Sequence, residues 1–447
     1  MQSERLFTSR RIRAERSTSE PGNREDHVGL ACGAVSRTLA LPTGLSAFTF
    51  GTQPPLVSES AAIPDINLTV KVVPQGVVVN LDMVQLTKDK RYWADFHHGV
   101  AIALQQRVSS SLDGSDISFN RPNELDAKHA GYLLGLGLTG QLRSMALYQA
   151  FSYLDPKHEY TSIALLLGLS IAFMGTGDAK VTNVLAVHLS ALHPSNSSEL
   201  NLTLLTQSAG LLGLGFLYLG THNLYMGEML LRELAKMVVL NMEQAETCRE
   251  SYALSAGMAY GMIMMGHESK PGGPGDAATL RKFANLIDGT GQHPLPGNKR
   301  SAVPAIDINI TGPAAIAALS LAFFNTGRAD VLAMVELPQS ADRLDYYRPE
   351  VLLLRTVSRC MIAFDSVRPT EAFISSLMPA FVSTTMSKQA FSGIPVDLDI
   401  ETAYWNILCG ACFGIALKYA GTASYEVHQL LLHHVDTLLR NTSMKGG

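Results

Sequence analysis

Apolar positions along the chain repeat one phrase many times. Long apolar runs open at Thr161 (TSIALLLGLSIAFMGTG), Thr206 (TQSAGLLGLGFLYLGTH), Ser251 (SYALSAGMAYGMIMMGHES), Gly312 (GPAAIAALSLAFFNTGRAD) and Trp405 (WNILCGACFGIALKYAGTAS). A shorter copy, HAGYLLGLGLTG, begins at His129, and a degenerate one, PEVLLLRTVSRCMIAF, at Pro349. WADFHHGVAIAL, from Trp93, reads as an incomplete opening unit. Full copies close at Gly175, Gly220, Gly266, Asn325 and Gly421, and the residue seven earlier is small every time: Gly168, Gly213, Ala259, Ala318 and Gly414. Seven residues make two helical turns, so both positions share a face. A glycine inside a helix costs about 1 kcal/mol against alanine. Taking that cost at one register in copy after copy points to a neighbouring helix packed too close for a side chain. The closing residue suits the left-handed backbone at a helix end.

Between the phrases run segments with ordinary amphipathic spacing: Val181, Val184, Leu185 and Leu189; Met226, Leu230, Leu231 and Leu234; Tyr425, Leu430, Leu431 and Leu438. Each unit is therefore an inner, almost wholly apolar helix followed by an outer, half-polar one. The closing positions lie 45 residues apart from Gly175 to Gly220, 46 to Gly266 and 59 to Asn325. The longer third interval is assigned to a Gly- and Pro-rich variable loop, 269–304. Helix pairs at this period stack as an α-solenoid. An inner helix apolar on all sides is buried on all sides, which favours an array curved or closed into a toroid. Ahead of the repeats, alternation in Leu68, Val70 and Val72 and in Val77, Val79 and Leu81 predicts short strands. The expected class is all-α with a small β-containing flank. The expected order is a disordered leader over 1–27, the flank over 28–92 and the solenoid over 93–447.

Composition narrows the function. Of 447 residues, 47% are hydrophobic and only 17% charged, at a mean hydropathy of +0.13, so much of the surface must be buried against something. The formal net charge of -4 gives no reason to expect nucleic acid. The longest apolar runs, Ile163–Gly175 and Ala209–Gly220, fall short of the ~18–20 residues that cross a bilayer, so no membrane is expected. Five unclustered cysteines make no disulfide framework. Residues 1–27 carry Arg10, Arg11, Arg13 and Arg16 but also several carboxylates, and no apolar core follows them.

Several motifs could carry chemistry. Gly135, Gly137 and Gly140 fit a dinucleotide fingerprint with Asp155 downstream, but the same Gly-Leu phrase recurs without it. Cys409 and Cys412 form a lone CxxC on the small-residue face of an inner helix, where free cysteine packs as a small apolar group; a structural zinc site needs four ligands. His428, His433 and His434, and His97 and His98, are badly spaced for one metal. No acid–base pair, nucleophile or cofactor site is assigned. Tyr346, Tyr347 and Arg348 are the candidate interface, because aromatic and Arg side chains anchor protein contacts.

The recurring phrases resemble proteasome/cyclosome repeats, found in two large proteasome regulatory-particle subunits and in the largest subunit of the anaphase-promoting complex. The resemblance to the cyclosome member rests on HEYTSIALLLG (His158–Gly168), RESYALSAGMAYGMIMMGHES (Arg249–Ser269) and RPEVLLLRTVSRCMIAFD (Arg348–Asp365). SRTLALPTGLSAFTFGT (Ser36–Thr52) and WADFHHGVAIAL add to it. IDINITGPAAIAALSLAFFNTGRAD (Ile306–Asp330) resembles the family's strand-like lead into a helix. The family protein is longer, with a β-propeller before this region and a further domain after it, so the chain reads as a fragment or a reduced form. The resemblance implies a non-catalytic scaffold of a ubiquitin ligase that controls mitosis, in nucleus and cytoplasm. Its implied partners are a cullin–RING catalytic module, tetratricopeptide-repeat subunits and the substrate-receptor region. The alternative is a docking subunit of the proteasome regulatory particle.

Overall fold

The computed structural model describes residues 43–44, 46–47, 69–71, 78–80, 88–106, 114–193, 202–236, 246–289, 307–344, 346–392 and 398–445. The leader expected over 1–27 lies outside them. In the flank, strands β1 (Thr69–Lys71) and β2 (Val78–Asn80) pair antiparallel, with Val70 opposite Val79.

The rest of the described chain is helical. The helices are α1 (Lys88–Gln105), α2 (Gly114–Phe119), α3 (Ala127–Leu138), α4 (Leu147–Leu154), α5 (Glu159–Ala172) and α6 (Ala179–Val187). They continue with α7 (Leu204–Leu217), α8 (Leu224–Ala235), α9 (Glu246–Met264), α10 (Ala277–Asp288), α11 (Ile308–Ala322) and α12 (Ala329–Met334). The last are α13 (Ala341–Leu344), α14 (Pro349–Ile362), α15 (Glu371–Leu377), α16 (Ala380–Ser392), α17 (Leu398–Tyr419) and α18 (Tyr425–Lys445). Two compact units divide inside α7, after Gly213.

Each apolar phrase becomes an inner helix packed on the next. In the first unit α1 lies on α3 and α3 on α5; in the second α9 lies on α11, α11 on α14 and α14 on α17. Inner helices such as α5 and α11 are buried around most of their circumference. In α5, Thr161, Ser162, Ala164, Leu165, Leu166, Gly168, Leu169, Ser170 and Ala172 are all buried. Outer helices contribute one stripe each, such as Val181, Val184 and Leu185 of α6 or Met226, Leu230 and Leu234 of α8.

Close backbone approach sets the spacing. A methyl placed on Gly131 of α3 would fall 1.9 Å from the Phe96 carbonyl oxygen of α1, and one on Gly99 2.0 Å from that of Lys128. One on Gly137 would fall 2.3 Å from the Gly168 Cα. The contact repeats with a fixed offset: Gly213 meets Ser170, Gly215 meets Ala259, Gly261 meets Ala318 and Gly414 meets Cys360. Helices α3, α5, α7 and α9 thus each carry two small residues, two positions apart, one for each neighbour. The closing residues Gly175, Gly220, Gly266, Asn325 and Gly421 all have positive φ, between 57° and 75°. They lie two or three residues past the last helical residue, in the turn that follows. Two of those turns tie to the next inner helix. Gly220 N–H donates to the Met262 carbonyl and Asn325 N–H to that of Met361, both at 2.9 Å.

Four features depart from the sequence expectations. The span 269–304 is not loop throughout: α10 occupies Ala277–Asp288 and buries Phe283, Leu286 and Ile287. The Gly- and Pro-rich stretches on both sides masked that periodic stripe. The lead expected to be strand-like is, over its described part, the first turn of α11 from Ile308, because the Asp307 carboxylate accepts from Asn309 N–H and caps it. Tyr425 of α18 is exposed, and Val427 takes the buried position beside Leu430 and Leu431. Finally, α17 is, by length and composition, apolar enough to cross a membrane. It packs on α14 through Gly410 and Gly414, and its Leu408, Ala411 and Ile415 join Cys360, Ile374 and Val427 in one core cluster.

Candidate interaction surface

The small residues singled out in the sequence lie in the layer between inner helices. Gly168, Gly213 and Gly414, with Ala259 and Ala318, each receive the preceding inner helix. Their partners two positions on, Gly137, Ser170, Gly215, Gly261 and Cys360, were missed. The signal was present as a small-x-small pair in every phrase: GLG, GLS, GLG, AYG and SRC.

Tyr346, Tyr347 and Arg348 sit at the start of α14 and behave differently from one another. Tyr346 projects into solvent, 74% exposed. Tyr347 is half-buried, and the Arg355 guanidinium lies over its ring at 4.5 Å. Arg355, itself buried, donates to the Glu336 carbonyl at 2.8 Å and faces Asp288 at 3.7 Å. Arg348 bridges two inner helices. One nitrogen pairs with Glu250 of α9 at 2.8 Å and the other donates to the Asn309 carbonyl of α11 at 2.9 Å. That carbonyl is available for a definite reason. Pro313, inside α11, has no N–H to return to the residue four before it, which is Asn309. Arg348 is exposed but acts first as a strap within the fold, and Tyr346 projects furthest without such a tie.

Basic side chains also finish other inner turns. Lys418 of α17 donates to the carbonyls of Phe364 and Asp365 at 2.9 and 3.0 Å, as cations do near helix C-termini.

The sequence motifs for chemistry resolve into packing. Gly135 and Gly137 lie inside α3 against α1 and α5, while Gly140 closes the turn after the helix at φ 78°. A phosphate loop must open a helix, where N–H groups point at the anion, and this one ends it. Cys409 and Cys412 flank the small face of α17 rather than form it, since Gly410 and Gly414 meet α14. Burial pushes the Cys412 thiol up to about 12 and raises Cys409 as well. His434 turns inward, 3.1 Å from the Glu371 carboxylate, and His433 points out. His97 lies 2.8 Å from the Thr43 hydroxyl.

Comparison with known proteins decides the family. The model of the APC1 fourth domain matches residues 1–174 and that of the APC1 fifth domain residues 179–446. The chain belongs to the APC1 family. The junction between the two APC1 domains falls at the Gly175 turn, between α5 and α6. Of the two memberships that the repeats suggested, it is thus the cyclosome one and not the proteasomal one. Among curated relatives, the Negative regulator of mitosis of Emericella nidulans is 35% identical over 90% of this chain and 19% of its own length. Anaphase-promoting complex subunit 1 of Schizosaccharomyces pombe is 33% identical over 90% of this chain and 26% of its own. The Homo sapiens protein of that name is 33% identical over 88% and 21%. The chain spans about a fifth to a quarter of these relatives' length.

Proposed function

We propose that this chain is a scaffold segment of the anaphase-promoting complex, contributing surface and spacing rather than catalysis. The observation that carries the reading is the match to two consecutive APC1 domains over residues 1–174 and 179–446. The structure supports a passive role in physical terms. Several of its buried polar groups serve packing: His129 with Tyr153, Tyr252 with Glu233, and Arg355 with main-chain carbonyls. On this reading the array holds a cullin–RING module and tetratricopeptide-repeat subunits at a fixed separation near the substrate receptors, in nucleus and cytoplasm. A solenoid suits that task, because each repeat contacts only its neighbours and the outer surface stays available.

The test is affinity purification of the tagged full-length protein from dividing cells, followed by mass spectrometry. Cullin–RING and tetratricopeptide-repeat subunits should co-purify in constant ratio. Recovery of proteasomal ATPases without them would overturn the reading.

A further inference from the structure

A cleft of about 230 Å³ opens in the first unit, where the ends of α4 and α6 face the starts of α5 and α7. Phe151, Leu154, Val187 and Leu202 form its apolar walls. Phe151 and Val187 stay 44% and 41% exposed, and Tyr148, one turn back on α4, is 74% exposed. A soluble surface rarely leaves such groups together unless something covers them. The volume lies below the ~300 Å³ at which cofactor and drug-sized pockets begin, and suits one large side chain.

The polar feature of the cleft is specific. His188 lines it and is 6% exposed. Its Nδ1 lies 2.8 Å from the Val184 carbonyl, so Nδ1 carries the hydrogen and Nε2 is a bare acceptor. No partner for Nε2 is found among the described residues. Burial lowers the pKa of the ring and keeps it a neutral acceptor rather than a cation. Ser162, Thr203 and Thr206 complete the lining, and an acceptor between apolar walls fits a large apolar side chain with a donor at its tip. At the rim, the carboxylates of Asp155 and Glu159 stand against one ammonium, Lys157. That balance favours a basic neighbour in the incoming chain.

We propose that this cleft receives a tyrosine side chain from an extended segment of a neighbouring subunit. The ring lies between Phe151 and Val187, the O–H donates to His188 Nε2, and a lysine or arginine beside the tyrosine meets Asp155 or Glu159. The proposal rests on the reading of the chain as a subunit of a larger complex.

The experiment places the photo-crosslinking residue benzoylphenylalanine at position 151 of the full-length protein, in the purified assembled complex. Irradiation should give one dominant adduct, to a segment of another subunit with a tyrosine next to Lys or Arg. Changing that tyrosine to alanine should lower the adduct at least tenfold. In this protein, the paired rim changes Asp155→Lys and Glu159→Lys, at an exposed and a half-buried position, should lower it several-fold. Adducts confined to this chain, adducts to a segment without tyrosine, or none at all in an intact complex would overturn the proposal. If no complex co-purifies, the subunit reading fails, and the proposal falls with it by that separate route.

Discussion

The fixed offset between neighbouring inner helices makes an unequal prediction for two glycines at one interface. Gly137 of α3 and Gly168 of α5 are both buried and lie against each other. A Cβ on Gly137 would sit 2.3 Å from the Gly168 Cα and 2.5 Å from its carbonyl oxygen. Backbone cannot step aside as a side chain can, so α3 and α5 would have to part by about 1 Å to regain ordinary contact at 3.4 Å. Overpacking of this kind costs about 1–3 kcal/mol, against a gain of about 1 kcal/mol in helix propensity. Gly137→Ala should therefore be net destabilising, by up to about 2 kcal/mol. A Cβ on Gly168 meets chiefly the end of the Leu142 side chain at 2.9 Å, with the nearest backbone atom, the Leu133 carbonyl oxygen, at 3.3 Å. Leu142 can rotate away, so Gly168→Ala should be close to neutral. Repeat arrays need not unfold in one step, so the assay is hydrogen exchange of the α3 and α5 amides. Protection should fall for Gly137→Ala and hold for Gly168→Ala. Equal protection in the two variants would refute the reasoning that backbone contact sets the helix spacing.

Three further outcomes follow. Arg348→Ala should cost about 1 kcal/mol, mostly from the abandoned Asn309 carbonyl, since an exposed ion pair such as that with Glu250 contributes only ~0–1 kcal/mol. Adding Pro313→Ala, which restores the missing N–H, should recover part of the loss, and a double-mutant cycle in denaturant checks the coupling. His129 stacks on Tyr153 and holds its pKa down at about 4 through burial. The unfolded chain takes up that proton near pH 6.5, so stability of the first unit should fall as pH drops from about 6.5 to 4, by up to ~1.4 kcal/mol per pH unit. His129→Phe should flatten that slope in pH-dependent melting. Tyr252→Phe removes the 2.6 Å donation to the buried Glu233 carboxylate and should cost about 1–3 kcal/mol by denaturation.

The fold was legible in the sequence to the extent that one interaction repeated. The register of Gly168, Gly213, Ala259, Ala318 and Gly414 is visible because each residue occupies the same place against the preceding inner helix. The closing residues are visible because a left-handed turn recurs after each inner helix. What failed to read through was local and single. Helix α10 is flanked by Gly- and Pro-rich stretches, and its Phe283, Leu286 and Ile287 stripe is short. The first turn of α11 has the alternation of a strand, Ile308 and Ile310, and only the Asp307 cap reveals it as helix. The dual role of Arg348 depends on a proline 35 positions earlier in the sequence, which no local pattern joins to it. The cleft around His188 draws its walls from four helices and segments, so no one phrase announces it.

The central claim is that this array spaces other subunits of the anaphase-promoting complex. The most direct measurement is an electron-microscopy map of the purified complex containing the full-length protein. The account predicts density for the stacked inner and outer helices at a junction, touching both the cullin–RING module and the tetratricopeptide-repeat lobe. An array at the periphery, in contact with neither or with one alone, would contradict it.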